Sequence, residues 1–273
     1  MQHLFDEWPR VRAALHAAPR WLVMLDFDGT LAPIVEHASL AVLPVKAKQH
    51  LSKLAASSGI DLAIVTGRAI ADLHPRIGID GIEFSGNHGR ERLKPGSSRT
   101  ELDSSVRVIV AQVCEQVRKE VSGISGVYVE DKGLTASLHY RQVPAEFHAQ
   151  VREVFRDIER TFGAAIEVAE GKCVFDFFPA DGANKGKAVM VLLAERGGAA
   201  KVLPIYCGDD TTDETVFRAL PPDSITVYVG SGETESAARY RVGDTTEVAE
   251  FIGRMGSLRE EFHTSGVEPL PGR

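Results

Sequence analysis

The chain has 273 residues, of which 44% are hydrophobic, so it is long enough for one large domain or for a core with a second lobe. Its formal net charge is −7 at pH 7, which argues against a general nucleic-acid binder or an anionic-membrane binder, because either needs a basic face. Its three cysteines have no CxxC spacing, which indicates neither a disulfide framework nor a zinc knuckle and is typical of a reducing compartment.

The first elements alternate strand and helix. Residues 21–27 form a short apolar run that Gly29 closes, which predicts a strand buried on both faces. Residues 45–58 space their apolar side chains at helical intervals and predict a helix, and residues 60–67 predict another strand. This order of strand, helix and strand indicates a parallel sheet with right-handed crossovers.

The middle of the chain follows a different order. Turn-forming residues are concentrated in residues 86–98. After them the pattern predicts a helix, a hairpin, a second helix and two further strands, over residues 101–121, 126–140, 145–162, 164–169 and 172–178. This order predicts a small antiparallel α+β lobe inserted into the parallel domain.

The earlier alternation returns in the last third of the chain. Helices and strands follow in turn, over residues 185–196, 202–208, 213–220, 225–230 and 245–257. The predicted fold is therefore α/β, with a Rossmann-like parallel-sheet core formed by residues 1–93 and 180–273. An α+β cap over residues 94–179 is inserted into that core.

The N-terminal segment carries no targeting pattern. Residues 1–20 mix charges into their apolar positions and lack the continuous apolar centre of a signal peptide. No stretch of the chain reaches the roughly 18 apolar residues that a membrane span needs. We therefore expect a soluble, cytoplasmic protein that has neither a membrane nor a nucleic acid as its partner.

Two aspartates stand at the end of the first strand, in "WLVMLDFDGT" (21–30). Asp26 and Asp28 emerge on the same side if the extended conformation continues, because side chains in a strand repeat every two residues. Two anions that close together repel each other unless a cation or a shared proton offsets the repulsion. A divalent metal ion is the expected cation.

A second acidic cluster follows another predicted strand, in "YCGDDTTDE" (206–214), and includes Asp209 and Asp213. Oxygen ligands with no His or Cys beside them favour a hard cation, and Mg²⁺ binds carboxylates together with waters and phosphate oxygens. In parallel sheets, ligands bind outside the carboxyl ends of the strands, where both acidic clusters are expected. The sequence therefore predicts a Mg²⁺ site at this edge.

Thr66 and Lys185 are expected at the same edge. Thr66 ends the second predicted strand, and Lys185 opens a helix in "NKGKAV", where a lysine and free backbone N–H groups can meet a phosphate. Each motif taken alone also fits a turn, a helix cap or a solvated surface. Their joint occurrence in this order favours a phosphate-handling site.

These four motifs, "DFDGT", "VTGR", "NKGK" and "GDDTTDE", resemble the ordered motifs of the haloacid dehalogenase superfamily of phosphatases. The resemblance implies that Asp26 attacks phosphorus and forms an aspartyl-phosphate. It implies that Asp28 protonates the leaving alkoxide and then activates the hydrolytic water. Thr66 and Lys185 would hold the phosphoryl oxygens.

The same resemblance implies a ligand set for the metal ion. Mg²⁺ would be held by Asp26, by the backbone carbonyl of Asp28 and by Asp209, and would stabilise the charge on the transferring group. Asp213 would act behind these ligands or bind the ion through water.

The inserted lobe is expected to select the leaving group. The stretches "GNHGRE" (86–91) and "VEDKGLTASLHYR" (129–141) resemble the corresponding stretches of trehalose-6-phosphate phosphatases. This similarity implies that Glu130 and Lys132 bind sugar hydroxyl groups. The residues by themselves also fit a local ion pair on a solvated hairpin.

Other substrate-binding residues follow from the same similarity. The similarity implies that Asn87 and His88 lie near the entrance of the cleft and that Arg68 reaches into the cleft. The chain departs from the family in "VFDFFPADGANKG", where Asp176 and Phe178 stand in place of a Glu and a basic residue. Asp176 keeps a carboxylate on a shorter arm and Phe178 keeps no charge, so the departure bears on substrate preference and not on phosphoryl chemistry.

We therefore expect a Mg²⁺-dependent phosphatase that hydrolyses trehalose 6-phosphate to trehalose and inorganic phosphate. One alternative is a phosphatase for another sugar or glycosyl phosphate, such as sucrose 6-phosphate or mannosyl-3-phosphoglycerate. An alternative from a different class is a non-catalytic sugar-phosphate-binding module associated with a synthase. Intact Asp26 and Asp28 argue against it, because binding without turnover needs neither group. Association with a trehalose-phosphate synthase is a further expectation from the resemblance.

Overall fold

The computed structural model describes residues 1–96, 100–101, 105–232 and 234–264. The strands, numbered in chain order, are β1 Gln2–His3, β2 Trp21–Leu25, β3 Ile60–Val65, β4 Glu83–Gly86, β5 Glu91–Leu93, β6 Thr100–Glu101, β7 Tyr128–Asp131, β8 Ala136–His139, β9 Ile166–Gly171, β10 Val174–Pro179, β11 Leu203–Gly208, β12 Ile225–Val229 and β13 Tyr240–Val242. The α-helices are α1 Trp8–Ala17, α2 Val45–Ala55, α3 Ile70–Ile77, α4 Ser105–Glu120, α5 His148–Phe162, α6 Lys185–Glu195, α7 Glu214–Ala219 and α8 Thr245–Thr264. Short 3₁₀ turns cover Ala38–Leu40, Asn87–Gly89, Ala145–Phe147 and Gly163–Ala165.

The chain divides into a core unit, residues 1–99 with 184–273, and an inserted lobe, residues 100–183. In the core unit the strand order is β1-β13-β12-β11-β2-β3-β4-β5. Neighbouring strands in this order are parallel, except for the last pair, in which β5 is antiparallel to β4. The predicted parallel α/β core is therefore confirmed.

The central strand β2 is buried on both of its faces, as its apolar sequence predicts. Trp21, Val23 and Leu25 pack into one hydrophobic cluster, and Leu22 and Met24 pack into another. All five side chains are 0% exposed. Alternate residues of a strand point to opposite faces, so two separate helical layers must cover this sheet.

The strand register places the predicted functional segments at one edge. Leu25 at the end of β2 pairs with Cys207 of β11 and with Ile64 of β3. Parallel neighbours end at the same edge, so the residues that follow these strands emerge together at the carboxyl edge of the core sheet.

The inserted lobe is a four-stranded antiparallel sheet in the order β7-β8-β10-β9, with α4 and α5 packed against it. One face of the sheet contributes Leu138, Phe175 and Phe177 to the lobe's own hydrophobic cluster. The alternate residues lie on the other face, where Glu130 pairs with Ser137 across β7 and β8. The lobe therefore has one apolar face under helices and one face that carries polar groups.

The unit boundaries differ from the predicted limits of 94 and 179. At the first limit, Nζ of Lys94 donates to Oε2 of Glu195 at 3.0 Å, which ties this residue to the core unit. At the second, the backbone N–H of Ala180 donates to the carbonyl of Ala165 at 3.1 Å, which keeps the chain with the lobe beyond Pro179.

Several elements have no counterpart in the sequence prediction. They are the N-terminal helix α1, the helix α3 and the short strands β1, β4, β5, β6 and β13. Pro75 lies inside α3, and an internal proline normally marks the end of a helical pattern. Among the residues that the structure describes, no helix is both long enough and apolar enough to cross a membrane.

We predict that Val23→Ala lowers the free energy of unfolding by about 2 kcal/mol, because it removes buried methyl groups and leaves a cavity. Val42→Ala is the matched control, since Val42 is 70% exposed, and it should change the free energy by less than about 0.5 kcal/mol. Urea unfolding followed by circular dichroism measures both values. Equal losses for the two variants would contradict the described burial of β2.

Candidate active site

Asp26 is the first residue after β2, at the carboxyl edge of the core sheet. Its backbone N–H donates to the carbonyl of Cys207 at 3.0 Å, so the neighbouring strand fixes its position. The side chain is 7% exposed. Burial is the largest cause of a pKa for Asp26 well above its usual range; Lys185 opposes this rise, and three nearby aspartates add to it. A cation is therefore needed here to keep the carboxylate ionised.

Lys185 supplies one positive charge at this site. It opens α6, where the side chain of Asn184 caps the helix by accepting the N–H of Lys187 at 2.9 Å. Its Nζ lies 3.1 Å from Oδ1 of Asp26 and 2.8 Å from Oδ1 of Asp213. Burial lowers the pKa of Lys185, but the two carboxylates outweigh burial and raise the pKa above its ordinary value. The lysine is therefore charged and bound to the predicted nucleophile.

Both carboxylate oxygens of Asp213 accept hydrogen bonds. Oδ1 accepts from Nζ of Lys185 and from the hydroxyl of Tyr206, at 2.8 and 2.6 Å. Oδ2 accepts the backbone N–H groups of Asp209 and Asp210, each at 3.0 Å. This carboxylate organises the loop after β11. Tyr206 was not identified from the sequence, because the pattern of a buried strand predicts that its tyrosine belongs to the hydrophobic core.

Asp209 lies close to Asp26 at the carboxyl edge of the core sheet. One carboxylate oxygen from each of Asp26, Asp209 and Asp213 lies within 4.8 Å of the others. The turn after β2 also packs on Asp209, since a Cβ built on Gly29 would lie 2.2 Å from its Oδ2. Gly29 has a φ of +77°, and its N–H donates to the carbonyl of Ala32 at 2.8 Å. Only glycine satisfies both this close approach and this backbone conformation.

Thr66 lies at the same edge, directly after β3, and is fully buried. Its N–H donates to the carbonyl of Ser85, and its carbonyl accepts the N–H of His88, at 2.9 and 3.0 Å. Its hydroxyl accepts the backbone N–H of Arg68 at 3.1 Å. A hydroxyl that accepts one hydrogen bond can still donate its own proton, as a phosphoryl-binding residue must.

Asn87 and His88, which were expected near the entrance of the cleft, are buried in the structure, at 0% and 5% exposed. Nδ2 of Asn87 donates to Glu91 at 2.9 Å, and the other oxygen of Glu91 accepts the N–H of Ile70 at 2.8 Å. The His88 ring packs so closely that a Cβ on Gly67 would lie 2.4 Å from its Nε2. Through these contacts Asn87 and His88 hold the turn after β3 in place. Glu91, which was not identified from the sequence, accepts both of the hydrogen bonds given above through its side chain.

Asp28 is 42% exposed and is bound on one side by Arg68. Nε and Nη2 of Arg68 donate to its two carboxylate oxygens at 2.6 and 2.7 Å. The Arg68 side chain is 5% exposed and also donates to Asp72 and to the carbonyl of Ala38, both at 2.7 Å. Arg68 was expected to bind substrate, but in the structure its guanidinium makes these four hydrogen bonds within the core unit.

The lobe brings its predicted residues together within its own sheet. Nζ of Lys132 lies 3.6 Å from Asp176 and 4.0 Å from Glu130. Glu130 also contacts the ring of His139 at 2.9 Å, and the hydroxyl of Ser137 donates to Asp176. Glu130, Lys132 and Asp176 thus form a compact polar cluster, and the local ion pair that the sequence also allowed is present.

A family model described as trehalose-phosphatase matches residues 24–246. The chain belongs to the trehalose-phosphatase family. The trehalose-phosphate phosphatase of Mycobacterium tuberculosis (strain ATCC 25618 / H37Rv) is 33% identical over 246 residues, which cover 87% of this chain. The match covers 62% of that relative, so the chain spans about three fifths of the length of its curated mycobacterial relatives.

Solved structures share the fold of this trehalose-phosphatase family member. A trehalose-6-phosphate phosphatase related protein matches with a TM-score of 0.73 and 28% identity, over 88% of this chain and 99% of that one. The C-terminal domain of the Candida albicans trehalose-6-phosphate phosphatase gives a TM-score of 0.81 at 23% identity, over 91% and 96% of the two chains. The predicted resemblance to trehalose-6-phosphate phosphatases is confirmed, and so is the predicted α/β core with an inserted lobe.

The trehalose-phosphatase family implies a divalent metal ion, and the residues present fit one. Asp26 and Asp209 offer buried carboxylate oxygens, the ligand type that hard cations bind. Lys185 supplies a single positive charge to a cluster of three aspartates. The remaining negative charge, which helps to raise the pKa of Asp26, is what a bound cation would offset.

We predict that Gly29→Ala weakens divalent metal binding by about tenfold or more, because the added methyl group displaces Asp209. The measurement is isothermal titration calorimetry with Mg²⁺ and with Mn²⁺. Gly96→Ala is the matched control: Gly96 has a similar φ of +71°, but no atom lies within 4 Å of its added Cβ. Both variants carry a backbone strain of about 1 kcal/mol. If both lost metal affinity equally, strain and not contact with Asp209 would explain the effect.

Proposed function

We propose that this chain is a Mg²⁺-dependent phosphatase that hydrolyses trehalose 6-phosphate to trehalose and inorganic phosphate through an aspartyl-phosphate. The observation that carries the proposal is the contact of Asp26 with a buried, charged Lys185 inside a cluster of aspartates. A carboxylate that only caps a turn needs no such surroundings. Membership of the trehalose-phosphatase family supports the choice of substrate.

In the first step, a carboxylate oxygen of Asp26 forms a bond to phosphorus while the bond from phosphorus to the sugar oxygen breaks. Asp28 gives a proton to the leaving alkoxide. Lys185 offsets part of the negative charge around Asp26 and orients its carboxylate through the 3.1 Å contact. The hydroxyl of Thr66 donates a hydrogen bond to a phosphoryl oxygen.

In the second step, a water molecule attacks phosphorus and breaks the bond to Asp26. Asp28, now ionised, takes a proton from this water, so inorganic phosphate leaves and both aspartates return to their starting states. Asp28 suits both steps because its side chain is half exposed, whereas that of Asp26 is buried.

Mg²⁺ is the proposed metal ion, held by Asp26, by Asp209 and by the backbone carbonyl of Asp28. When bound, it would stabilise the negative charge of the phosphoryl group. Asp213 positions the loop of Asp209 and binds Lys185, so we assign it a supporting role behind the ligands.

We propose that the polar cluster of the lobe, Glu130, Lys132 and Asp176, binds hydroxyl groups of the sugar. Recognition of a polyol needs fixed donors and acceptors, and a site built for hydroxyl groups rejects ligands that leave its groups unpaired. Lys132 and Asp176 are only 10% and 12% exposed, so their positions are restrained before any ligand binds. A cytoplasmic location and an association with a trehalose-phosphate synthase stay predictions from the sequence.

We predict that Asp26→Asn reduces phosphate release from trehalose 6-phosphate by about a thousandfold or more, because the amide cannot act as the nucleophile. Asp80→Asn is the control, since Asp80 is exposed in the turn between α3 and β4. Colourimetric phosphate release with trehalose 6-phosphate, sucrose 6-phosphate and mannosyl-3-phosphoglycerate, with and without a chelator, measures activity and preference together. If the wild type released phosphate no faster than Asp26→Asn, the phosphatase proposal would fail.

We predict that Lys132→Met raises KM for trehalose 6-phosphate by about tenfold and leaves the turnover of p-nitrophenyl phosphate unchanged, because the aryl ester has no sugar to bind. Lys119→Met on α4 of the same lobe is the matched control and should change neither value. Steady-state kinetics with both esters gives the answer. Parallel losses on the two substrates would argue against a role in sugar recognition.

A further inference from the structure

We propose that Arg68 is a positioning residue that holds the ionised carboxylate of Asp28 in the orientation in which it takes a proton from water. The proposal rests on the phosphatase function proposed above and gives Arg68 a role that acts through Asp28 and not through the substrate. The observation is the two-point contact between the guanidinium and Asp28, from Nε to Oδ2 at 2.6 Å and from Nη2 to Oδ1 at 2.7 Å. Two parallel hydrogen bonds fix the plane of a carboxylate as well as its distance.

The side chain of Arg68 is itself fixed before it reaches Asp28. Nη1 donates to Asp72 and Nη2 donates to the carbonyl of Ala38, each at 2.7 Å, and the guanidinium lies 5.2 Å from the centre of the Phe27 ring. The side chain is 5% exposed. A buried guanidinium with these partners has little freedom, so it can impose one position on a carboxylate that is half exposed.

The backbone of Arg68 joins this arrangement to the phosphoryl-binding turn. Its N–H donates to the hydroxyl of Thr66 at 3.1 Å, and its carbonyl accepts the N–H of Asn87 at 2.8 Å. The residue therefore links the proposed acid and base, Asp28, to the proposed phosphoryl ligand, Thr66. The side chain of Arg68 binds Asp28 and its backbone N–H binds Thr66, so this one residue sets the distance between the two groups.

Asp72 and Arg76 extend the network away from the site. Nε and Nη2 of Arg76 donate to Asp72, and its Nη1 donates to the carbonyls of Ser39 and Ala41 at 2.9 and 3.2 Å. Arg76 thus shares Asp72 with Arg68 and holds the same loop, but it makes no contact with Asp28. It is the chain's own matched control for a purely structural contribution.

The test compares Arg68→Lys, Asp72→Asn and Arg76→Lys with the wild type, using trehalose 6-phosphate as an alkyl ester. We expect Arg68→Lys to lower kcat by about ten- to a hundredfold, a part of what general acid and base catalysis supplies, with KM changed less than about twofold. Asp72→Asn removes one anchor of Arg68 and should give a smaller loss of the same kind. Arg76→Lys should leave kcat within about twofold.

A second ester separates positioning from general damage. p-Nitrophenyl phosphate has a good leaving group that needs little protonation, whereas the water step still needs Asp28 as a base. In Arg68→Lys, rapid mixing should therefore show a burst of nitrophenolate close to one equivalent per enzyme, followed by a slow steady rate. A merely structural defect would lower the amplitude or slow both phases together.

Each other outcome overturns a stated part of the inference. A raised KM with an unchanged kcat would assign Arg68 to substrate binding, and equal losses in Arg68→Lys and Arg76→Lys would leave it a structural role. If Arg68→Lys does not fold, as thermal unfolding would reveal, Asp72→Asn must show the kcat loss or the positioning role fails. A wild type that hydrolyses neither ester overturns the proposed function itself, whereas an active wild type with unchanged variants overturns only the role of Arg68.

Discussion

The contact of Lys185 with Asp26 and Asp213 is the interaction on which the candidate site depends. It joins the end of β2, the start of α6 and the loop after β11, which reach the same edge only when the core sheet has formed. Removing one partner of such a buried cluster would leave an uncompensated charge, which costs far more than the pair itself contributes to stability. The arrangement is therefore better understood as preparing the proposed nucleophile, Asp26, than as a source of stability.

Two kinds of carboxylate result from this layout. Asp26 is buried and held against a lysine, whereas Asp28, two residues later, is half exposed and held by an arginine. A strand end with a glycine turn places the two side chains in different surroundings despite their closeness in sequence. Different surroundings are how one site assigns separate tasks to two chemically identical groups.

The sequence was sufficient for the parallel core, because runs such as residues 21–27 and 60–67 carry a strong apolar signal between turn residues. It also pointed to Asp26, Asp209 and Lys185, since strand and helix ends in a parallel sheet share an edge. It could not show that Arg68 binds Asp28 and Asp72 or that Asn87 is buried against Glu91, because these depend on contacts between loops that follow different strands. Helix α3 was missed because Pro75 interrupts its pattern. Burial and partner choice arise from packing, which periodicity does not encode.

The close approach of Gly29 to Asp209 has a consequence for how the protein responds to its surroundings. Asp26, just before Gly29, and Asp209 are far apart in the sequence, so their carboxylate oxygens come together only in the folded core. An ion that binds the folded chain and not the unfolded one stabilises it by mass action. The supply of that ion would then govern how long the folded protein survives, and starvation for the ion would shorten that time.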